Sequence, residues 1–364
     1  MGNERELPLS GMRVLELGGG IPAAFATRWL AGFGADVARS EGPEGALDGD
    51  EEVALLAGKR RIATDPPRLR ELALAADVLV EDGAPGALAA RGLDPRELRR
   101  VKPALVITSL TPFGQTGPAA SWRASNLVAH AAGGILSLTG VVGRPPLQNG
   151  YSQAWMLLGL NGFSATVAAY YGALAHGQGD WLDLSAQECA AGMLELYGPR
   201  AAFDHLPAPR LGNRVHALWG IFPCADGFAG VCALQRQAPA FLNLTGAPEL
   251  EDPRFHDPVA RLDPAVDAEL GAHVVRWFSD KRKREVLEQG EKHKVPMGAV
   301  LTPLDLLASP GLAERGFFAE VATPNGVARV PGRPFLGLDF AAGELRAPAA
   351  DTDAVARDWL GAGA

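Results

Sequence analysis

The chain has 364 residues, 47% of them hydrophobic, and its 42 acidic against 34 basic side chains leave a formal net charge of −8. That length supports more than one hydrophobic core, and the acidic balance excludes a protein built for non-specific nucleic-acid binding, which needs an excess of phosphate-neutralising cations. Cys189, Cys224 and Cys232 show no Cys-x-x-Cys or Cys/His spacing, so neither a disulfide framework nor a zinc or other metal centre is expected.

The opening stretch MGNERELPLSG places charges where a signal peptide has its apolar run, and Glu6 where a myristoylation signal has Ser or Thr. No later span reaches the roughly 18 consecutive apolar residues of a membrane helix. A cytoplasmic protein with no membrane partner is expected.

Strands are expected at 13–17 (RVLEL), 35–40 (ADVARS), 77–81 (DVLVE) and 104–109 (ALVITS), alternating with amphipathic stretches. That alternation is the mark of βαβ units and a parallel sheet. A helix over 22–33 fits between the first two strands, with Pro22 in its first turn and Gly34 at its end. Pro66–Pro67 and Asp94–Pro95 open two more helices. The segment 152–176 reads as a long helix whose Ala and Gly allow close packing. A second helix is expected over 183–197, capped by Asp183 or Ser185 with Glu188 as the capping-box acid.

The periodicity breaks in a linker at 205–213. A hairpin over 217–234 turns at Asp226–Gly227, helices follow at 264–278 and 282–292, and a strand at 295–301. The expected fold is therefore α/β: a Rossmann-like large domain from residues 1–205 and 326–364, and a small α+β domain from 206–325.

Three features carry chemistry. Gly18-Gly19-Gly20-Ile21-Pro22-Ala23 follows a strand and opens a helix, as in dinucleotide-binding turns, and Glu41 stands where a ribose-binding acid is expected. An NAD-dependent oxidoreductase is one reading; the other is a strand-turn-helix that merely needs small residues. The loop 109–118 (SLTPFGQTGP) follows a strand terminus and offers Gln115 and backbone donors, or is an ordinary Gly-Pro turn. Lys59, Arg60, Arg61, Arg91 and Arg123 could cradle phosphates or form solvated faces. His130 sits in an apolar helical pattern that suits a hydrogen-bonded core residue. Neither H-E-x-x-H nor G-x-S-x-G occurs.

In this order, the segments LSGMRVLELGGG, AGKRRI, ADVLVEDGAPGALAARGLDPRELRRVKPALVITSLTPFGQTGP, WRASNLVAHAAGGILSLTG, GRPPLQNG, GQGDWLDLSAQE and VPMGAVLTPLDLLASPGLAERGFFAEV resemble the family III CoA transferases. That group includes formyl-CoA, carnitine-CoA and succinyl-CoA-dependent transferases and the α-methylacyl-CoA racemases. The resemblance spans 9–336. It implies a Rossmann-like domain that binds coenzyme A rather than NAD, an interlocked homodimer, and CoA transfer between a CoA thioester and a carboxylic acid. Lys59, Arg91 and Arg123 fall where the family holds the CoA nucleotide and phosphates; Gly42 stands where an adenine-side contact is made.

The sequence also departs from the family. Its nucleophilic Asp lies four residues before a helix glycine; here the glycine is Gly159 and the position is Trp155. Ser125-Asn126 replaces the racemases' His-Asp element, and Ala23-Ala24 replaces a Gly-Pro pair. Gln153, Trp155, Asn126, His130 and Gln115 are expected to line the pocket. The expected function is CoA transfer by a mechanism that does without the usual aspartyl nucleophile; the residue that replaces it is not identified, since Asp183 and Glu188, the nearest acids in sequence, read rather as helix-capping residues. The alternatives are an inactive CoA-binding subunit paired with an active paralogue, another acyl-CoA reaction in the same pocket, or the NAD-dependent oxidoreductase.

Overall fold

The structure, a computed structural model, describes residues 6–40, 47, 49–194, 197–205, 209–246 and 251–361. Two compact units emerge. The first comprises Met1–Ser137, Gln148–Leu206 and Pro310–Ala364; the second comprises Leu138–Leu147 and Pro207–Ser309. The second unit thus ends at Ser309 rather than at the expected 325, and it takes in Leu138–Leu147, which the expected boundaries place in the large domain.

The first unit runs β1 (Arg13–Leu17), α1 (Ile21–Gly32), β2 (Asp36–Ser40), α2 (Gly49–Leu56), β3 (Arg60–Ile62), α3 (Pro66–Ala75), β4 (Val78–Glu81), α4 (Ala87–Ala90), α5 (Pro95–Val101), β5 (Val106–Thr111), α6 (Asn126–Ala132), α7 (Gln153–His176), β6 (Trp181–Ser185), α8 (Ala186–Ala191) and α9 (Tyr197–Asp204). Its six strands are parallel in the order β3-β2-β1-β4-β5-β6. Successive strands leave β1 first in one direction and then in the other, so the crevice between the carboxyl ends of β1 and β4 is the topological switch point where such sheets bind ligands.

Alternation along the strands explains the layers. Val14, Val78, Val80 and Val106 face the core that holds α1 and α7. Leu15, Leu79 and Ile107 face the opposite core, where Leu69 and Leu72 of α3 and Leu98 of α5 pack. Gly159 lets α7 lie against α1, since a Cβ there would stand 2.6 Å from the Pro22 carbonyl. Asp65 and Asp94 cap α3 and α5 through the amides of Arg68 and Arg96, ahead of prolines that need no amide partner.

One expected element changes type. The run 181–185 is strand β6, paired with β5 from Ile107↔Trp181 to Thr111↔Ser185. The helix expected over 183–197 starts at Ala186 and stops at Gly192, because Ser185 is its cap: the Oγ accepts from the Glu188 amide at 3.1 Å and donates to Glu188 Oε2 at 2.7 Å.

The second unit contains β7 (Arg214–His216), β8 (Trp219–Cys224), β9 (Gly227–Cys232), α10 (Ala238–Thr245), α11 (Pro253–His256), α12 (Pro264–Ser279), α13 (Lys283–His293), β10 (Met297–Ala299) and α14 (Pro303–Leu307). The β8–β9 hairpin closes with Cys224 opposite Gly227, in an antiparallel sheet ordered β10-β9-β8-β7. Phe222, Phe241 and Phe278 anchor its core.

The chain then returns to the first unit through α15 (Pro310–Glu314), the hairpin β11 (Phe318–Thr323) and β12 (Gly326–Pro331), and α16 (Thr352–Leu360). Val355 and Trp359 of α16 enter the α3 core, and the Trp359 indole donates to Asp36 at 2.7 Å. Among the described residues, no helix is long and apolar enough to cross a membrane.

Candidate active site

A cavity of about 350 Å³ opens at the switch point. Its floor is the start of α1, reached from β1 through Gly18–Gly20. The α1 N-cap, Gly20, supplies no side-chain cap of its own. Asp82, the residue after β4, fills that role from the neighbouring strand: its carboxylate accepts from the Gly20 amide at 3.3 Å and the Ala23 amide at 3.1 Å.

A helix N-terminus attracts an anion through its free amides and dipole, and here the protein's own carboxylate is that anion. A Cβ at Gly18 would lie 2.0 Å from Asp82 Oδ1, and one at Gly20 would lie 2.5 Å from Oδ2. The glycine-rich turn is therefore shaped around Asp82 and leaves no seat for a dinucleotide pyrophosphate. That removes the ground for the NAD reading; Glu41, its second support, and Gly42 lie outside the described residues. Burial raises the Asp82 carboxyl to about 6 against the pull of the Ala23 and Gly20 amides.

Trp155, in the first turn of α7, forms another wall, with Leu110, Thr111 and Pro112 at the end of β5 and Leu47 opposite. Its position is set from outside its own helix. Ser152, the α7 N-cap, makes no side-chain cap; Asn126 accepts from the Ala154 amide at 2.9 Å and donates to the Tyr151 carbonyl at 3.1 Å. Tyr151 itself takes a left-handed backbone, φ 59°, and its hydroxyl donates to Glu51 of α2 at 2.9 Å.

Glu81, one residue before Asp82, points into a second concavity of about 220 Å³ that also includes Ser109, Gln115, Arg96 and Trp181. Burial raises its carboxyl to about 7, opposed by hydrogen bonds from Ser109 and the Gly83 amide and reinforced by Asp82 and Asp183. Consecutive acids at the end of β4 thus serve two different cavities.

The comparisons with known proteins bear on this arrangement. The model of CoA-transferase family III matches residues 9–353. The chain belongs to CoA-transferase family III. It is 29% identical over 359 residues to the succinate–glutarate CoA-transferase of Agrobacterium fabrum, covering 90% of this chain and 88% of the relative. With the formyl-CoA:oxalate CoA-transferase of Streptomyces coelicolor it shares 28% over 382 residues, 90% of this chain and 92% of the relative. A CAIB/BAIF family protein from Brucella suis superposes with a TM-score of 0.88 at 25% identity, covering 98% of this chain and 100% of that one. CoA transfer involving carboxylic acids is the activity that the relatives' names carry, and the mixed α/β architecture is the family's.

Against this family background, the residues singled out from the sequence separate. Trp155 stands in the switch-point cavity; Arg123, exposed, directly precedes Ala124 of the same wall. Gln115 lies in the second concavity, where its amide side chain donates to Glu81 at 3.4 Å. Arg91 is exposed at the end of α4, the helix whose Leu88 and Ala89 line that concavity. Neither Arg91 nor Arg123 has an ion-pair partner among the described residues, so both cations are available to a ligand.

Lys59 is not brought to either cavity. It is fully buried, and its ammonium donates to Glu16 at 2.9 Å, the Ala24 carbonyl at 2.8 Å and Thr27 Oγ1 at 2.7 Å. All three ammonium protons are used inside the protein. Arg39 joins the same Glu16 carboxylate. His130 is buried in α6, with its Nδ1 lacking a partner among the described residues, rather than the hydrogen-bonded core residue expected; it lines neither cavity. Gln153 is exposed at the start of α7, and Asn126 acts by holding that helix.

Asp183 and Glu188 are committed elsewhere: Asp183 accepts from the Gln115 amide at 2.9 Å, Glu188 is bound to Ser185, and both line a third depression. Among the described residues, no group of three or more His, Cys, Asp or Glu is placed to hold a metal ion. Sequence reasoning missed Asp82 and Glu81. The available signal was an Asp-Gly pair directly after a strand in a parallel sheet, where ligand sites gather.

Proposed function

We propose that the protein transfers CoA from an acyl-CoA thioester to a second carboxylic acid, with the reacting thioester in the switch-point cavity and the CoA nucleotide outside it, held by Arg91 and Arg123. The observation that carries this reading is the cavity itself. It lies at the carboxyl ends of β1 and β4, and its wall carries Trp155 at the position where the resemblance puts the family's nucleophile. At about 350 Å³ it suits an acyl group and the thiol end of the coenzyme, while the phosphates need cations beyond its rim. The named substrates of the relatives, succinate, glutarate, formyl-CoA and oxalate, favour short carboxylic acids.

The active form in this reading is a homodimer, interlocked as the family resemblance implies. Leu160, Tyr171 and Leu174 of α7 support it: they are 45%, 76% and 67% exposed, an apolar stripe that a second copy would cover. Light scattering that returns only monomer would remove this part.

The test pairs succinyl-CoA with glutarate and follows glutaryl-CoA by mass spectrometry, with CoA binding measured separately by calorimetry. Arg91→Ala and Arg123→Ala should each weaken CoA binding about fivefold, the worth of about 1 kcal/mol for an exposed charge-assisted contact. Unchanged affinity in both variants would remove these cations from the site.

A further inference from the structure

We propose that Asp82 is the acyl-accepting carboxylate of this enzyme, taking the place in the reaction that Trp155 cannot fill. The inference rests on the CoA-transfer reading and names the residue that reading leaves open.

Three observations converge on Asp82. Among the described residues that line the switch-point cavity it is the only ionisable one; the others are glycine, proline, alanine, aliphatic side chains, one threonine and Trp155. Its oxygens rest on the Gly20 and Ala23 amides at 3.3 and 3.1 Å, which fix the carboxylate at the cavity and place donors beside any oxyanion formed at its Cγ. Glycine at 18 and 20 keeps that seat open, because a methyl group at either position would collide with the carboxylate. The competing acids point elsewhere: Glu81 into the second concavity, Asp183 onto the Gln115 amide, Glu188 onto Ser185. With its carboxyl raised to about 6, Asp82 is still mostly ionised at neutral pH and is more basic than an ordinary aspartate, which favours nucleophilic attack.

The chemistry balances without a co-reactant. An Asp82 oxygen attacks the thioester carbonyl; the new C–O bond replaces the C–S bond, whose electron pair leaves on the CoA thiolate, giving a mixed anhydride. The thiolate then attacks Cγ of Asp82, forming an aspartyl thioester and releasing the donor acid as a carboxylate. The acceptor carboxylate attacks the same carbon, expelling the thiolate. Thiolate attack on the acceptor's acyl carbon yields the product thioester and restores Asp82. The resting amide contacts would hold the oxyanion of the two tetrahedral intermediates that form at Cγ of Asp82.

The experiment uses the full chain. Succinyl-CoA binding is first measured by calorimetry; the complex is then treated with hydroxylamine or borohydride and its peptides are mapped by mass spectrometry. The expected result is modification of the peptide containing Asp82, at Asp82, dependent on succinyl-CoA. Modification at another acid, or binding and turnover without any trapped adduct, overturns the proposal while leaving CoA transfer intact. Absence of both succinyl-CoA binding and turnover overturns the functional reading itself. Asp82→Asn keeps an acceptor for one α1 amide and removes the nucleophile. It should lower transfer about a thousandfold or more while CoA affinity stays within about threefold; undiminished transfer would also refute the assignment. The adduct on the unmutated chain decides the matter even if the variant does not fold.

Discussion

Lys59 distinguishes a lysine that binds coenzyme from one that holds the fold together. Glu16 sits on β1, wholly buried, with Lys59, Arg39 and Thr27 around its carboxylate. Burial alone would raise its pKa, but the two cations and their hydrogen bonds outweigh it and bring it from 4.5 to about 2. A fall of that size makes the carboxylate's contribution about 3 kcal/mol more favourable at pH 7 than in acid, while burial lowers the Lys59 ammonium to about 8 and offsets part of the pair's net worth. Because the folded-state value lies below the unfolded one, this contribution is complete above pH 4.5 and is lost as pH falls towards 2. Lys59→Met retains much of the stem's packing and removes the ammonium, leaving a buried carboxylate with Arg39 as its remaining cation. The expected cost is about 3–5 kcal/mol, as for breaking a buried ion pair from one side. Urea denaturation at pH 7 should show it as a lower midpoint, and the variant's acid sensitivity between pH 4.5 and 2 should be weaker than that of the parent. CoA affinity of the folded variant, measured at low temperature, should be nearly unchanged. A variant with the parent's denaturation midpoint and no CoA binding would refute the structural role and place Lys59 on the coenzyme.

Two further outcomes follow from the same geometry. Glu81 is a buried acid whose folded pKa of about 7 exceeds the reference 4.5, so it destabilises the fold progressively as pH rises between those values; Glu81→Gln should gain about 2–3 kcal/mol over the parent on going from pH 5 to pH 8, and parallel pH–stability curves would contradict this. Asn126→Ala removes the only side-chain cap seen on the α7 amides among the described residues, and should cost about 1–2 kcal/mol in thermal or chemical denaturation. An unchanged melting temperature would show that Ala154 finds another acceptor without loss.

The sequence was most readable where periodicity and burial agree. β1 appears at Arg13–Leu17 as expected, because its apolar side chains alternate between two cores. β3 escaped notice: three residues with two arginines carry no strand pattern, and only pairing with β2 makes Arg60–Ile62 a strand. In β6 the helix-like composition of 183–191 hid a strand that ends at the cap residue Ser185.

The site was partly legible for the same reason. Resemblance located Trp155, which needs only alignment along the chain. Asp82 could not be located that way, because its role depends on β4 lying beside β1, which it does not follow in sequence. Nor does a charge pattern separate Lys59, buried against β1 and α1, from Arg91 and Arg123 at the surface. Burial is a property of the folded sheet, and a cation's letter in the sequence carries none of it.

In this reading the thiol end of CoA enters the switch-point cavity beside Trp155, and Asp82 rests on the α1 amides. A crystal structure with CoA bound decides it. The sulfur should lie within about 3.5 Å of Asp82, near-attack distance, with the diphosphate away from the α1 N-terminus. A diphosphate seated on the Gly20 and Ala23 amides, with Asp82 displaced and the sulfur outside the cavity, would contradict it.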